Sequence, residues 1–291
     1  MKNVKGFAGP DGASFEPKDS SIFILPVPYD GTSTWIKGAD KGPLSIIEAS
    51  SELEMYDLET GTEVCEKGIH TCPALDVDCP PEEMVERVKK TVLEHIDQEK
   101  FTVVLGGEHS VSIGSIWAHA SRFFDMSVLQ LDAHSDMRDE YMGSRYNHAC
   151  VIARAREVSK CVQVGVRSVS KGEIDIIQKD HFFPAHEIMS SPGWEHNVMD
   201  ALTDNVYVSI DLDVFDPSYV PATGTPQPGG LDWYQVTGLL REVAEKKNVV
   251  GFDVVELCPH KENRAPDLLA AKLVYKFLSY IYASRAKKDR D

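Results

Sequence analysis

Six short apolar runs, rich in β-branched residues, recur along the 291-residue chain, and stretches of helical periodicity separate them. Hydrophobic residues are continuous within each run instead of alternating with polar ones, which is the pattern of a strand buried on both faces. A sheet is buried on both faces when helices cover it, as in parallel α/β folds. The sequence therefore predicts a three-layer α/β/α domain with a mainly parallel sheet, whose strands cover residues 21–27, 102–105, 127–131, 161–166, 206–210 and 249–255.

Three of the intervening helices are visible in the sequence. Pro80 and Pro81, followed by two glutamates, are typical of a first helical turn, and apolar residues at helical spacing continue to about Gln98. A second helix follows Ser110, and a third opens at Pro266. The residues expected to face the core are Val85, Val88, Val92 and Ile96 in the first helix, Ile113, Trp117, Ala120 and Phe124 in the second, and Leu269, Leu273, Phe277 and Ile281 in the third.

No repeat, low-complexity tract or linker divides the chain. We therefore expect a single domain over residues 1–291, with residues 1–20 as an N-terminal extension and residues 285–291 as a solvated tail. The six cysteines include no C-x-x-C pair, so we interpret them as reduced thiols and expect neither a disulfide framework nor a zinc finger.

The charge of the chain limits its partners. Thirty basic residues stand against 46 acidic ones, which gives a formal net charge of -16. This charge repels phosphate backbones and anionic lipids, and it is compatible with a small cationic substrate. No apolar run approaches the roughly 18 residues of a membrane span, and the N-terminus lacks the apolar stretch of a signal peptide. We therefore expect a cytoplasmic protein that binds neither nucleic acid nor membranes.

Aspartate and histidine side chains follow three of the predicted strands. They are His109 after the second run, Asp132, His134 and Asp136 after the third, and Asp211 and Asp213 after the fifth. Alternate residues of an extended segment point to the same side, so the i, i+2 spacing presents these side chains together. Ligands of open α/β sheets bind beyond the carboxyl ends of the strands, which is where this cluster is expected.

Four carboxylates and two imidazoles carry too much negative charge to pack together without counterions. Two divalent cations would balance the four aspartates, and a carboxylate-rich ligand set favours Mn²⁺, with Co²⁺, Fe²⁺ or Zn²⁺ left open. A single D-x-H-x-D motif is also compatible with loop caps and surface charges, but three coincident placements favour a metal site. Gly106 and Gly107 are interpreted as a tight turn, because no phosphate-binding loop motif follows them.

These motifs resemble those of a known enzyme family. GGEHS, DAHSD and SIDLDVFDP, with the glutamate of DVVELCP, are similar to segments of the arginase/agmatinase ureohydrolases. The similarity begins at ILPVPYDGTSTWIKGADKGPLSIIEAS and continues through TGTPQPGGL, so it covers most of the chain. The resemblance implies a parallel-sheet α/β/α domain, two Mn²⁺ ions per chain, release of urea from a guanidino compound, and assembly as a homotrimer or homohexamer.

The resemblance also implies roles for individual residues. One ion would be held by His109, Asp132, Asp136 and Asp211, and the other by His134, Asp132, Asp211 and Asp213. Glu256 would hold the guanidinium through a charge-assisted contact, Asp136 would hold the hydrogen of the attacking hydroxide, and His148 would carry a proton to the leaving amine. A surface glutamate at a strand end is the alternative interpretation of Glu256, and His148 taken without the resemblance is more often a structural histidine.

The expected substrate is agmatine, which would give putrescine and urea. TGTPQPGGL and DMRDEYMG are similar to the agmatinase branch of the family, and DMRDEYMG lacks the Asn- and Ser/Thr-rich loop with which arginases hold an amino acid. Asp139 and Glu140 are candidates for holding the distal ammonium, although adjacent acids in a loop are often solvated. Alternatives are a guanidinobutyrase, an arginase, a formiminoglutamase, a metal-dependent deacetylase or an inactive binding homologue.

Overall fold

The computed structural model describes residues 6–9 and 16–288, and its centre is one eight-stranded sheet. The strands are β1 (Ile22–Val27), β2 (Ile69–Thr71), β3 (Phe101–Gly106), β4 (Met126–Leu131), β5 (Lys160–Val164), β6 (Phe182–Phe183), β7 (Asn205–Asp211) and β8 (Asn248–Val255). They lie in the order β2-β1-β3-β8-β7-β4-β5-β6, and every neighbouring pair is parallel. The predicted parallel sheet and all six predicted strands are confirmed.

Helices connect these strands. They are α1 (Gly42–Ser50), α2 (Pro81–Asp97), α3 (Val111–Ala120), α4 (Val151–Ala155), α5 (Lys171–Ile174), α6 (Ala185–Ile188), α7 (Trp194–Ala201), α8 (Trp233–Lys246) and α9 (Ala265–Lys288). Pro81 occupies the first turn of α2, where its missing N–H costs nothing, as the sequence predicted.

The sheet is buried on both faces because successive strand residues point to opposite faces and pack into two hydrophobic cores. Val103 and Leu105 of β3 join one core with residues of α1, α7, α8 and α9, while Val104 joins the other core with residues of α2, α3 and α4. This alternation explains why apolar residues are continuous along the strands. The three-layer α/β/α prediction is confirmed.

Two helix ends differ from the expectations. Helix α3 ends at Ala120, so Phe124 is 92% exposed, and its neighbour Phe123 packs against the core instead. Helix α9 continues to Lys288, which removes residues 285–288 from the expected solvated tail. Arg285 is half-buried there and donates a hydrogen bond to the Val249 carbonyl oxygen at 2.9 Å.

Part of the N-terminal extension also packs onto the domain. Phe7 and Ala8 are buried, and their backbone N–H groups donate to Thr71 Oγ1 and Ser50 Oγ, both at 2.8 Å. Residues 1–5, 10–15 and 289–291 of the expected extension and tail lie outside the described residues. Within the described ranges, the helices are too short or too polar to cross a bilayer.

Candidate active site

The carboxyl ends of β3, β8, β7 and β4 lie side by side at the centre of the sheet. His109 follows β3, Glu256 follows β8, Asp211 ends β7 and Asp132 follows β4. Because the strands are parallel, these four positions reach the same edge, although they are up to 147 residues apart in sequence. The predicted cluster at the strand ends is thus present in the fold.

The first group of candidate ligands surrounds the Nδ1 atom of His109. This atom lies 3.1 Å from Asp132 Oδ2, 3.0 Å from Asp136 Oδ2 and 3.5 Å from Asp211 Oδ2. Buried His109 Nδ1 nevertheless forms no hydrogen bond with any described residue. Ligands about 2.1 Å from an octahedral ion lie about 3.0 Å apart, so these distances fit atoms that share a cation.

The other ring nitrogen of His109 explains why Nδ1 faces the carboxylates as an acceptor. Nε2 lies 2.9 Å from Ser209 Oγ, and Ser209 donates its own proton to Asp253 Oδ1 at 2.8 Å. Nε2 must therefore be the donor, which leaves a lone pair on Nδ1 of the neutral ring. A lone pair that faces three carboxylate oxygens requires a positive charge between them, and the residues present therefore fit a divalent cation.

A second group lies beside the first. His134 Nδ1 is 2.9 Å from Asp213 Oδ2 and 3.6 Å from Asp132 Oδ1. Asp132 therefore faces His109 with one carboxylate oxygen and His134 with the other. The two sets of mutually close ligand atoms are His109, Asp132 and Asp211, and Asp132, His134 and Asp213.

Asp211 is placed with the first group. Its Oδ2 atom faces His109, while its Oδ1 atom accepts a hydrogen bond from the Asp213 backbone N–H at 2.8 Å. Of the two bridging ligands expected from the sequence, the structure brings Asp132 to both groups and Asp211 to one. Bridging by Asp211 stays a prediction.

No lysine or arginine side chain of the described residues forms an ion pair with these four aspartates. Arg167 is close enough to experience their charge, but its hydrogen bonds go to backbone carbonyl oxygens such as that of Asp213. Burial and the neighbouring Asp132 raise the pKa of Asp136 to about 7. Burial, Asp213 and Asp132 also raise the pKa of Asp211 well above its ordinary value. The cluster is therefore short of positive charge.

The same environment favours the charged forms of the two imidazoles, whereas it favours the neutral forms of Asp136 and Asp211. Burial disfavours the charged ring of His109, but Asp132 and Asp136 outweigh it and raise the pKa of His109. Burial is likewise outweighed at His134, where Asp213 and Asp132 raise the pKa to about 12. A proton on each ring then stands in for the missing cation, so a metal ion has to displace protons when it binds.

Two site residues adopt left-handed backbone conformations. Asp136 has a φ of 49° and Glu256 has a φ of 66°, and residues other than glycine rarely adopt such backbone angles. Glu256 is held there because its N–H donates to the Gly107 carbonyl oxygen and its Oε1 accepts from the His109 N–H, both at 2.8 Å. Its other oxygen, Oε2, is left for the cavity that Glu256 lines. Such strain is typical of functional positions.

A cavity of about 240 Å³ opens above the candidate ligands. His148 lines it together with Glu256 and Asp136. Asp139 and Glu140 do not line it. Asp139 is exposed and forms ion pairs with Arg145 and Arg154, so its carboxylate already has cationic partners, and its role as a substrate contact stays a prediction.

Three residues near the cavity were missed in the sequence. Thr32 contacts both Glu108 and His148, and Glu173 lines the cavity wall. Glu108 directly precedes the candidate ligand His109 in GGEHS, and this position in the sequence indicates that Glu108 lies close to the site. Glu173 forms a capping box with Ser170, and this motif indicates a helix start, not a binding residue.

Comparison with known proteins identifies the family. Residues 20–279 match the model of the arginase family. The chain is a member of the arginase family. This arginase-family protein is therefore a ureohydrolase, a hydrolase of guanidino C–N bonds, and its family depends on a binuclear metal centre.

The relatives of this arginase-family chain include enzymes with two different activities. It is 36% identical to the N(1)-aminopropylagmatine ureohydrolase of Synechocystis, over 93% of this chain and 92% of that protein. It is 34% identical to an agmatinase of Pyrococcus horikoshii, over 89% and 91%. Among solved structures, the agmatine ureohydrolase of Thermoplasma volcanium superposes with a TM-score of 0.88 at 30% identity, over 99% of this chain and 97% of that one.

Proposed function

We propose that this ureohydrolase cleaves agmatine into putrescine and urea with two Mn²⁺ ions. The observation that carries the proposal is the pair of ligand groups that share Asp132, directly below a cavity lined by Glu256 and His148. The first ion would bind His109, Asp132, Asp136 and Asp211, and the second would bind His134, Asp132, Asp211 and Asp213. Carboxylate-rich coordination favours Mn²⁺ over Co²⁺, Fe²⁺ and Zn²⁺. When bound, such a pair activates water and stabilises negative charge on the reacting group.

Glu256 is the proposed guanidinium anchor. Its Oε1 is committed to the His109 N–H, so the free Oε2 is the atom that accepts from the substrate. Burial and the neighbouring Glu108 raise the pKa of Glu256 well above its ordinary value, so the buried carboxylate is stabilised by a cationic partner such as the guanidinium. The left-handed backbone of Glu256 holds the carboxylate in place and orients the guanidinium over the ligand groups.

His148 is the proposed proton carrier. Burial, with the positive charge of His109, lowers the pKa of His148 to about 4, so the ring is neutral at neutral pH. A neutral imidazole accepts the proton that the attacking water loses and gives it to the departing nitrogen. Asp136, which also lines the cavity, would hold the hydrogen of the attacking oxygen species.

The cavity that would hold the substrate tail is lined by one acidic and one basic side chain, Glu173 and Arg138. Glu173 lines the cavity and is ionised, because hydrogen bonds from Ser170 and Ser135 outweigh burial and hold its pKa below the ordinary value. It replaces Asp139 as the candidate partner of a distal ammonium. Arg138 also lines the cavity, 4.2 Å from the Tyr141 ring centre, and would favour a carboxylate instead. The charge of the preferred tail is therefore the point to test.

A second substrate is favoured by the relatives. Besides the Synechocystis enzyme, the N(1)-aminopropylagmatine ureohydrolase of Thermus thermophilus is 39% identical over 89% of each chain. N(1)-aminopropylagmatine carries the same guanidino group on a longer amine tail, so the same residues would release urea and a triamine.

A urea assay with four substrates separates these possibilities. We expect kcat/KM for agmatine or N(1)-aminopropylagmatine to exceed that for arginine and guanidinobutyrate by at least about a hundredfold, or roughly 2.7 kcal/mol. A preference for guanidinobutyrate would indicate that Arg138 binds the carboxylate of the substrate tail, and it would contradict the agmatinase proposal. Formamide release from formiminoglutamate would instead indicate a formiminoglutamase, and acetate release without urea would indicate a metal-dependent deacetylase. A cytoplasmic location and a homotrimer or homohexamer stay predictions.

A further inference from the structure

The hydroxyl of Thr32 joins the proposed proton carrier to a buried carboxylate. Thr32 lies in the loop after β1, 116 residues before His148. Its Oγ1 accepts a hydrogen bond from the His148 backbone N–H at 2.9 Å and donates one to Glu108 Oε1 at 2.9 Å. The same oxygen lies 3.2 Å from His148 Nδ1. One hydroxyl therefore touches both the backbone and the ring of His148.

The direction of these hydrogen bonds determines which ring nitrogen is protonated. A threonine hydroxyl has one proton and two acceptor lone pairs. Its proton is directed at Glu108, so the contact with the ring requires Nδ1 of His148 to be the donor. In the neutral ring, Nδ1 then carries the hydrogen and Nε2 keeps its lone pair. Nε2 is the nitrogen left for proton exchange in the cavity that His148 lines.

Glu108 holds Thr32 in this orientation. Its side chain is fully buried, and its oxygens accept from the Ser110 N–H at 2.8 Å, the Ser110 hydroxyl at 2.7 Å and the Thr32 N–H at 3.4 Å. The backbone ties the same two loops together, because the Glu108 N–H donates to the Tyr29 carbonyl oxygen at 2.8 Å. Thr32 is thus fixed through its main chain and its hydroxyl.

A second contact of the His148 ring is weaker. Tyr141 meets the ring edge-on, with 6.2 Å between ring centres, which allows the imidazole to turn. The other charged groups that act on His148 are His109, His134 and Lys37, and their positive charge opposes protonation without selecting a nitrogen. Among these neighbours, Thr32 is the group whose geometry distinguishes Nδ1 from Nε2.

We propose that Thr32 is a positioning residue of the hydrolysis. It orients the His148 ring and keeps the hydrogen on Nδ1, so that Nε2 takes up the proton from the attacking water and delivers it to the leaving amine. The inference rests on the proposed role of His148. Thr32 acts on the proton transfer and contacts none of the candidate metal ligands, so its loss affects turnover and leaves metal binding intact.

Replacement of Thr32 by its isostere tests the inference. Thr32→Val keeps the shape of the side chain and removes the hydroxyl, and we expect kcat to fall about 10–100-fold because the ring is misplaced. KM for agmatine should stay within about threefold, and the bound metal should be unchanged. Thr32→Ser restores a hydroxyl and should recover most of kcat. A normal kcat in Thr32→Val, or a Ser variant as slow as the Val variant, would overturn the inference.

A double-mutant cycle shows whether Thr32 acts through His148. His148→Ala alone should lower kcat about 10²–10⁴-fold, as expected for loss of a proton carrier. If Thr32 works through His148, Thr32→Val should slow the His148→Ala enzyme no further. Additive losses would show that Thr32 acts elsewhere. Near-normal turnover of His148→Ala would refute the proposed role of His148 itself, so the two failures are distinguishable.

Two further measurements guard against a folding effect. Thr203 serves as a control threonine, because its hydroxyl also bonds a side chain and a backbone group, here the Ser127 hydroxyl and the Asn205 carbonyl oxygen. It lies at the amino end of β7, so Thr203→Val should leave kcat unchanged. The ¹⁵N chemical shifts of the His148 ring report the tautomer directly. We expect the Nδ1–H form in the parent and in Thr32→Ser, and a mixture of tautomers in Thr32→Val. An unchanged Nδ1–H form in Thr32→Val would contradict the inference even if that variant were less stable.

Discussion

Two acidic groups in this molecule have opposite charge balances. Next to α9, Asp57 and Lys276 are both buried, and Lys276 Nζ lies 2.9 Å from Asp57 Oδ2 and 2.9 Å from Glu59 Oε1. At the strand ends, four aspartates meet two imidazoles and no described lysine or arginine side chain as ion-pair partner. The first group carries its own cation, and the second lacks one.

The comparison separates acids that stabilise the fold from acids that serve the reaction. At Asp57, burial tends to raise the pKa, but the hydrogen bonds from Lys276 and Thr60 and the charge of Lys276 together outweigh it and hold the pKa below the ordinary value. At Asp136, burial and Asp132 leave the pKa raised to about 7. A buried acid with a raised pKa and no cation of its own indicates a site for an external cation.

The largest expected effect is at the group without a cation. Asp211→Asn removes a ligand charge, so turnover should fall at least about 10³-fold, because metal activation contributes several kcal/mol to catalysis. The metal-free protein should be as stable as the parent or more stable, since one buried like charge is gone. Urea release and denaturant unfolding without metal measure the two effects. An active Asp211→Asn enzyme with full metal content would break the comparison.

At the group that contains Asp57 and Lys276, a substitution should lower stability and leave turnover unchanged. Lys276→Met leaves Asp57 buried without its partner, and we expect the free energy of unfolding to fall by about 3–5 kcal/mol. Turnover per folded molecule should stay at the parent value, since Lys276 does not line the active-site cavity. Urea denaturation followed by assay of the folded enzyme checks both quantities. A loss of turnover with normal stability would contradict the structural role.

Removal of metal should affect stability through the strand-end group alone. A ligand present at a hundred times its Kd stabilises the folded state by about 2.7 kcal/mol. Chelation should therefore lower Tm by several degrees, and Mn²⁺ should restore it in the parent and in Lys276→Met. Asp211→Asn should lose most of this shift. Equal Tm values with and without Mn²⁺ in the parent would be inconsistent with a metal centre.

The smallest effect is expected at Asp139, an exposed acid of the same region. Its carboxylate pairs with Arg145 and Arg154 and does not line the cavity. Asp139→Asn should change kcat/KM for agmatine by less than about threefold, because exposed ion pairs contribute at most about 1 kcal/mol. A tenfold rise in KM would restore Asp139 as a substrate contact.

The sequence predicted those parts of the fold that depend on local patterns. The six central strands were visible because burial on both faces makes them continuously apolar. Strands β2 and β6 were missed because they have three and two residues at the edges of the sheet. The end of α9 was misplaced because its charged last turn resembles a solvated tail.

The same division holds for the site. The candidate ligands directly follow strands, so their spacing and the parallel topology place them together. Thr32 could not be found in this way, because its contact with His148 joins two loops 116 residues apart. The charge of Asp139 makes it a candidate in the sequence, and nothing there indicates that Arg154, 15 residues later, pairs with it. Pairing between distant loops depends on tertiary structure.

The most direct test of the two-metal centre is the number of Mn²⁺ ions bound per chain. Purified protein would be stripped with chelator, dialysed against Mn²⁺ and measured by elemental analysis against protein concentration. Two ions per chain in the parent, and a lower value in Asp211→Asn, are the predicted result. Fewer than two ions at saturation in the parent, or an undiminished content in Asp211→Asn, would contradict the assignment.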